Sequence, residues 1–309
     1  MRGRRLFIGM RIALAILTLA FVMSTWAATQ GKVLYNFNLT DGAYPNGGVI
    51  FDAAGNLYGT TYGGGTYRCG TVFQLMALAG GRWKDNVLHS FNYTDGAHTY
   101  AGVTLDAAGN LYGTTGWAGR YDCGTIFELT RIPGRGWSET ALQSLVGADG
   151  CDPFAGLIVD TAGNLYGTTT RGGTGYYCSF WCGTVFQLTP SAGGGWTETV
   201  LYNFNGPDGD FPAAGVVFDA VGNLYGTTEA GGELSTCNGS GCGTVFKLMP
   251  AAGGGWAETV LHDFNGNDGA YPLAGLILDA VGNLYGTTQQ GGTGTSCTPG
   301  CGTVFEITP

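Results

Sequence analysis

The sequence predicts an all-β chain, and more narrowly a five-bladed β-propeller of four-stranded blades. Three observations predict it: one long motif recurs five times, each repeat divides into four short β-type runs, and the two ends of the repeat region are complementary. Gly-Asn-Leu-Tyr-Gly-Thr-Thr places its Asn at Asn56, Asn110, Asn164, Asn223 and Asn283, at spacings of 54, 54, 59 and 60. An apolar stretch ending in Asp precedes each copy. A glycine-rich loop and Cys-Gly-Thr-(Val/Ile)-Phe follow it, and a segment usually carrying Trp leads to the next copy.

Within a unit the runs are a (such as 275–279), b (284–288), c (302–307) and d (196–204). The a–b connection Asp-x-x-Gly-Asn is a tight hairpin, because Asp accepts backbone N–H groups and Gly takes positive φ. Run d alternates, with Trp196, Glu198 and Val200 on one side and Thr197 and Thr199 on the other. Nothing after the leader reads as a helix. The repeat region opens on a d-type run, 32–37, and closes on a c-type run, 302–307. The first d run is therefore expected to complete the last blade and leave few exposed edges. The repeated Trp83, Trp137, Trp196 and Trp256 are expected between blades.

Residues 1–28 read as a signal peptide. Arg2, Arg4, Arg5 and Arg11 form a basic start, 12–23 carry no charge, and Ser24 to Ala28 supply small residues for cleavage near Ala28. Residues 29–309 are then one exported domain, without a second apolar segment or an anchor tail. Without the four leader arginines, 9 basic residues face 22 acidic ones, a net charge of −13. So acidic a surface repels phosphate backbones, which disfavours nucleic acid as a partner. No membrane association is expected after cleavage. With 58 glycines but no three-residue period, and 13% aromatics, the chain is neither collagen-like nor disordered.

The block Asp-x-x-Gly-Asn-Leu-Tyr-Gly-Thr-Thr, then Gly-Gly, then Gly-Thr-Val-Phe-x-Leu, resembles the GloVer tandem repeat of bacterial exported proteins. Different members of that family carry different surface anchors. The likeness covers residues 32 to 309 and implies export, with no established catalytic residue. The a–b portion also resembles the NHL-type propeller repeat.

In such an architecture the d–a and b–c loops share one face. That face receives Asp41, Asp95, Asp149, Asp208 and Asp268, each followed by Gly, and every cysteine-bearing loop. The Asp-Gly loops are calcium candidates, but each offers few carboxylates, so an Asx-type turn is the favoured reading. Asp152 and Asp210 are the best remaining carboxylate pair for a carbohydrate-active enzyme, since acid–base work needs two carboxylates in different environments. His89 and His262 share a d-strand column with Tyr35 and Tyr202 and read as outer-surface residues. His98 stands alone in an Asp-Gly loop. No histidine pair has metal spacing, no phosphate loop or nucleophile elbow occurs, and no cofactor is expected.

Export favours disulfides among the nine cysteines. Cys178–Cys182, Cys237–Cys242 and Cys297–Cys301 are close pairs within loops. Cys123 is expected to pair with Cys151, leaving Cys69 free. The b–c loops of units one to three are rich in aromatics: Tyr62, Tyr67, Trp117, Tyr121, Tyr176, Tyr177, Phe180 and Trp181. Units four and five have none there. Such a rim suits sugar rings or a protein partner; local packing over the glycine-rich loops is the competing explanation. The leading function is a non-catalytic module binding a glycan or an extracellular protein. A carbohydrate-active enzyme and a structural cell-surface component are the alternatives.

Overall fold

The computed structural model describes residues 31–175, 178, 182–294 and 296–309. The chain divides into two compact units, Met1–Val33 and Leu34–Pro309. The signal-peptide assignment lies outside the described residues, and the following concerns the second unit.

The five repeats form five antiparallel sheets. The first comprises β1 (Ile50–Phe51), β2 (Leu57–Thr61), β3 (Thr71–Leu78) and β4 (Arg82–Ser90). The second comprises β5 (Thr104–Leu105), β6 (Leu111–Thr115), β7 (Thr125–Ile132) and β8 (Gly136–Ser144). The third comprises β9 (Ile158–Val159), β10 (Leu165–Thr169), β11 (Thr184–Pro190) and β12 (Trp196–Asn203). The fourth comprises β13 (Val217–Phe218), β14 (Leu224–Thr228), β15 (Thr244–Pro250) and β16 (Trp256–Asp263). The last has β17 (Ile277–Leu278), β18 (Leu284–Thr288) and β19 (Thr303–Ile307). Each is a meander in sequence order.

The a–b hairpin is built from side chains acting on backbone. Asp52 Oδ1 accepts the N–H groups of Ala54 and Asn56, while Oδ2 accepts Asn56 Nδ2 and the Tyr58 hydroxyl. Asp106, Asp160, Asp219 and Asp279 repeat the arrangement. The second threonine of the motif ties strand b to strand c, as where Thr61 Oγ1 accepts Thr71 N–H at 3.1 Å. The first threonine reaches the next sheet: Thr60, Thr114, Thr168 and Thr227 donate to the carbonyls of Ala101, Ala155, Ala214 and Ala274.

The core lies between sheets rather than within one. Val72, Leu88 and Phe91 of the first unit pack with Val103, Leu111 and Phe127 of the second, and equivalent clusters join second to third, third to fourth and fourth to fifth. Three of the four repeated tryptophans belong to these seams: Trp137, Trp196 and Trp256 pack edge-on against Tyr58, Tyr112 and Tyr166 of the preceding sheet, whereas Trp83 packs with Leu57, Phe73 and Leu75 of its own sheet. The expected alternation holds from Trp196 to Val200 and then breaks. A β-bulge in the c–d pairing of each four-stranded sheet turns Leu88, Leu142, Leu201 or Leu261 toward a seam cluster.

One expectation is not met. Among the described residues, 32–37 form no strand, and the last sheet stops at three. Phe37 instead packs edge-on against Phe73 of the first sheet, with Tyr35 beside it, as Phe91 packs against Phe127 one unit later. The side of the fifth sheet that the other units bury in a seam is left exposed. Val304 is 81% exposed, whereas Val72, Ile126, Val185 and Val245 at the same position are fully buried.

Candidate binding face

In every unit the Asp-Gly loop and the b–c loop are joined by an antiparallel bridge. The bridged pairs are Ala43–Gly63, Ala97–Trp117, Cys151–Arg171, Asp210–Ala230 and Ala270–Gln290. Both loops therefore lie on one face, as the sequence predicts. The next residue in each unit takes left-handed backbone: Tyr44, His98, Asp152, Phe211 and Tyr271 have φ between 55° and 60°. A non-glycine residue held there costs about 1–3 kcal/mol and needs surrounding structure to fix it. Here that structure is backbone. His98 N–H donates to Cys69 O of the preceding unit at 2.7 Å, and Gly116 N–H donates to His98 O at 2.9 Å. Five side chains of four kinds are thus held at equivalent points of one face.

Around the second of these points the aromatics converge. Tyr62 stacks on His98 with centroids 4.3 Å apart, and Trp117 meets His98 edge-on at 5.3 Å. Tyr100 joins Trp117 at 5.9 Å and Phe154 at 4.3 Å, carrying the cluster from unit one to unit three. Trp117 remains 39% exposed. Gly116 is required beneath them, since a Cβ there would meet both Tyr100 and Phe154 at 2.9 Å. Tyr100 and Phe154 also line a cavity of about 720 Å³, bounded by 46–50, 101–104, Gly156, Ala274 and Gly275. Burial, then a hydrogen bond with Tyr62, pushes the Tyr100 hydroxyl up to about 12, so it stays protonated as a donor.

The structure divides the predicted aromatic set. Tyr62 and Trp117 enter the cluster. Tyr121 lies under the Arg120 guanidinium, 5.2 Å from its centroid, and lines a separate cavity of about 460 Å³ with Gln143 and Val146. Tyr67 is exposed. Tyr176, Tyr177, Phe180 and Trp181 lie outside the described residues. Sequence reasoning missed His98, Tyr100 and Phe154 as members; the column of His98 with Tyr44 and Tyr271 was the available signal.

The candidate carboxylates differ in environment. Asp152 is buried and accepts a hydrogen bond from Arg171 Nη1 at 3.1 Å. Burial raises its carboxyl while Arg171 opposes that. Asp210 is raised to about 6 by burial, and its Oδ1 is buried without a hydrogen-bond partner among the described residues. In the Asp-Gly loops, Asp95 Oδ1 accepts Asn92 N–H at 2.9 Å and Oδ2 accepts Asn92 Nδ2 at 2.8 Å, while Asn92 Oδ1 accepts Thr94 N–H at 3.0 Å, so the Asx turn is made by the asparagine and the Asp closes the loop back onto it. Asp41, Asp208 and Asp268 likewise accept the N–H of Asn38, Asn205 and Asn265. Asp149 lacks that asparagine, and burial raises its carboxyl.

His89 and His262 stand on the outer strands β4 and β16, partly exposed, and their Nε2 atoms lie 3.0 Å and 3.2 Å from Asp95 and Asp268, because the strand leads straight into the Asp-Gly loop. The disulfides join Cys123–Cys151, Cys178–Cys182, Cys237–Cys242 and Cys297–Cys301, and Cys69 is free and buried.

A family model described as the Gloeobacter/Verrucomicrobia repeat matches residues 20–181 and again 138–309. The chain belongs to the Gloeobacter/Verrucomicrobia repeat family. Among curated proteins nothing matches it. Among solved structures, a Dyadobacter fermentans protein of unknown function aligns at 13% identity and TM-score 0.48, over 90% of this chain and 85% of that one. The catalytic domain of a Coprinopsis cinerea GH62 α-L-arabinofuranosidase aligns at 11% identity and TM-score 0.40, over 86% and 90%. A Podospora anserina α-L-arabinofuranosidase aligns at 12% and 0.40, over 88% and 92%. At these scores the alignments carry no argument about this chain. Its family and four disulfides are consistent with an extracellular or periplasmic location.

Proposed function

We propose that the protein is an exported, non-catalytic binding module whose d–a and b–c loop face holds a glycan. In this reading residues 1–28 are removed on export, and the five sheets are blades arranged as in a β-propeller. Support for that arrangement comes from the equivalent clusters between consecutive sheets and from the cavity where residues of the first, second, third and fifth units leading into or along their a strands meet. The observation that carries the binding reading is the aromatic group Tyr62, His98, Tyr100, Trp117 and Phe154, two of whose members, Tyr100 and Phe154, line that cavity. Exposed ring faces take the apolar C–H faces of sugars, while Tyr100 hydroxyl and the Asp152–Arg171 pair supply polar contacts beside them.

Affinity electrophoresis through gels containing soluble xylan, glucomannan, mixed-linkage β-glucan or pectin tests this. The expected result is retardation in at least one gel, lost in Trp117→Ala with unchanged circular dichroism. Equal mobility in all gels would move the reading to a protein partner or a structural role. The catalytic alternative finds its one favouring observation in Asp210, buried and raised to about 6. Hydrolysis of any of those polysaccharides, abolished in Asp210→Asn, would establish it.

A further inference from the structure

The seam between the first two sheets brings three metal-ligating side chains together from three separate elements. His89 stands near the end of β4, Asp95 in the loop after it, and Glu139 on β8 of the next sheet. One ligand atom from each lies within 4.8 Å of the other two. Around a tetrahedral ion with bonds of about 2.0–2.1 Å, ligand atoms sit about 3.3 Å apart. His89 Nε2 and Asp95 Oδ2 are already 3.0 Å apart, so only the Glu139 carboxylate has to swing inward.

The surroundings hold the ligands in place. The His89 ring packs edge-on against Phe91 at 4.9 Å, and Asn92 fixes the Asp95 carboxylate through its N–H and Nδ2. Glu139 Oε1 is buried with no hydrogen-bond partner among the described residues, as are the matching oxygens of Asp85, Glu198 and Glu258, but only at Glu139 do a histidine nitrogen and a second carboxylate oxygen converge on it. From these observations we infer that His89, Asp95 and Glu139 form a zinc site, with water completing the coordination. The imidazole nitrogen favours zinc over calcium or magnesium, which prefer oxygen shells.

The other seams show why one site per chain is expected. Where His89 stands here, Tyr35 and Tyr202 donate their hydroxyls to Asp41 and Asp208. Gln143 donates from Nε2 to Glu198 Oε2 at 2.6 Å, so an amide N–H stands where His89 offers a ring nitrogen, although Glu198 Oε1 is likewise unpartnered among the described residues. His262 pairs with Asp268, but no third ligand joins them among the described residues.

The experiment is calorimetric titration of chelator-treated protein with zinc chloride at pH 7.5, with metal content measured after dialysis. The expected result is one zinc per chain, with affinity falling at least tenfold in His89→Ala and Glu139→Gln and unchanged in His262→Ala. X-ray absorption on zinc-loaded wild-type protein guards against variants that misfold, and should show nitrogen and oxygen neighbours without sulfur. Absence of saturable binding, equal binding by folded His89→Ala, or sulfur in the first coordination sphere would each overturn the assignment.

Discussion

The ring of Phe73 closes over the α-carbon of Gly59, so that a methyl group there would lie 2.7 Å from Phe73 Cζ. The same contact, at 2.5–2.6 Å, joins Gly113 to Phe127, Gly167 to Phe186 and Gly226 to Phe246, and Gly286 meets Phe305 in the same way. This explains why the b strand carries glycine at its centre. The c-strand phenylalanine needs the space, and the phenylalanine ending the preceding d strand packs on it in turn, as Phe204 does on Phe246.

Gly167→Ala should therefore destabilise the protein by about 2 kcal/mol through overpacking of Phe186. Gly193→Ala, in a d-strand entry with open space around it, should be close to neutral. Urea denaturation of both variants checks this, and equal midpoints would refute the packing account.

Asp160 gathers four donors: Ala162 and Asn164 N–H, Asn164 Nδ2 and the Tyr166 hydroxyl. Asp160→Ala strips all four of their partner and should cost about 1–3 kcal/mol. Asp160→Asn, which keeps an acceptor oxygen for the backbone donors, should cost less in the same denaturation series.

Two opposite sets of carboxyls shape the pH dependence. At Asp52, Asp160 and Asp219, burial pushes the pKa up, but the hydrogen bonds from asparagine, backbone and tyrosine outweigh it and the net value is lowered. Their stabilisation is present above the unfolded carboxylate range and is lost as pH falls through the folded values. Glu198 and Glu258 are raised to about 7, first by burial and then by Asp149 and Asp208, and Asp85 to about 6, first by burial and then by Asp41. Their stabilisation is complete below the unfolded range and is lost as pH rises through 6–7. Thermal midpoints should peak near pH 5 and fall toward both pH 3 and pH 8. Glu258→Gln should flatten the alkaline limb, and a midpoint that climbs steadily to pH 8 would contradict these assignments.

The cysteine framework predicts a stability ranking. The Cys123–Cys151 bridge spans 28 residues and Cys178–Cys182 spans 4. Loop-closure entropy then makes the first worth about 3–4 kcal/mol and the second about 2. Cys123→Ser should lower the denaturation midpoint more than Cys178→Ser. Buried Cys69 should resist iodoacetamide in the native protein, and one thiol per chain should titrate after unfolding.

The repeat made the sheets legible, because Asp-x-x-Gly-Asn and the Gly–Phe pair encode the same local geometry five times. The disulfide partners were legible for a similar reason: departures from the repeat, such as Cys151, stand out against it. The aromatic group was only half legible. Tyr62 and Trp117 share a loop type, but His98, Tyr100 and Phe154 sit in other loops and meet them only because neighbouring sheets pack edge to edge. The approach of His89 to Glu139 was not legible, because Glu139 is on the following sheet and alternation along one strand carries no information about a seam. The fourth strand of the last sheet was expected from the complementary ends, yet Phe37 follows the same Phe–Phe packing as every other unit and lies on the first sheet.

The central claim is that the aromatic group on the loop face binds glycan. A glycan array probed with wild-type protein, Trp117→Ala, Tyr100→Ala and Val221→Asp tests it most directly, the last altering an exposed hairpin turn outside the loop face. The account predicts a defined set of bound glycans, lost in the two aromatic variants and kept in Val221→Asp. Binding kept by Trp117→Ala and Tyr100→Ala but lost in Val221→Asp would contradict it.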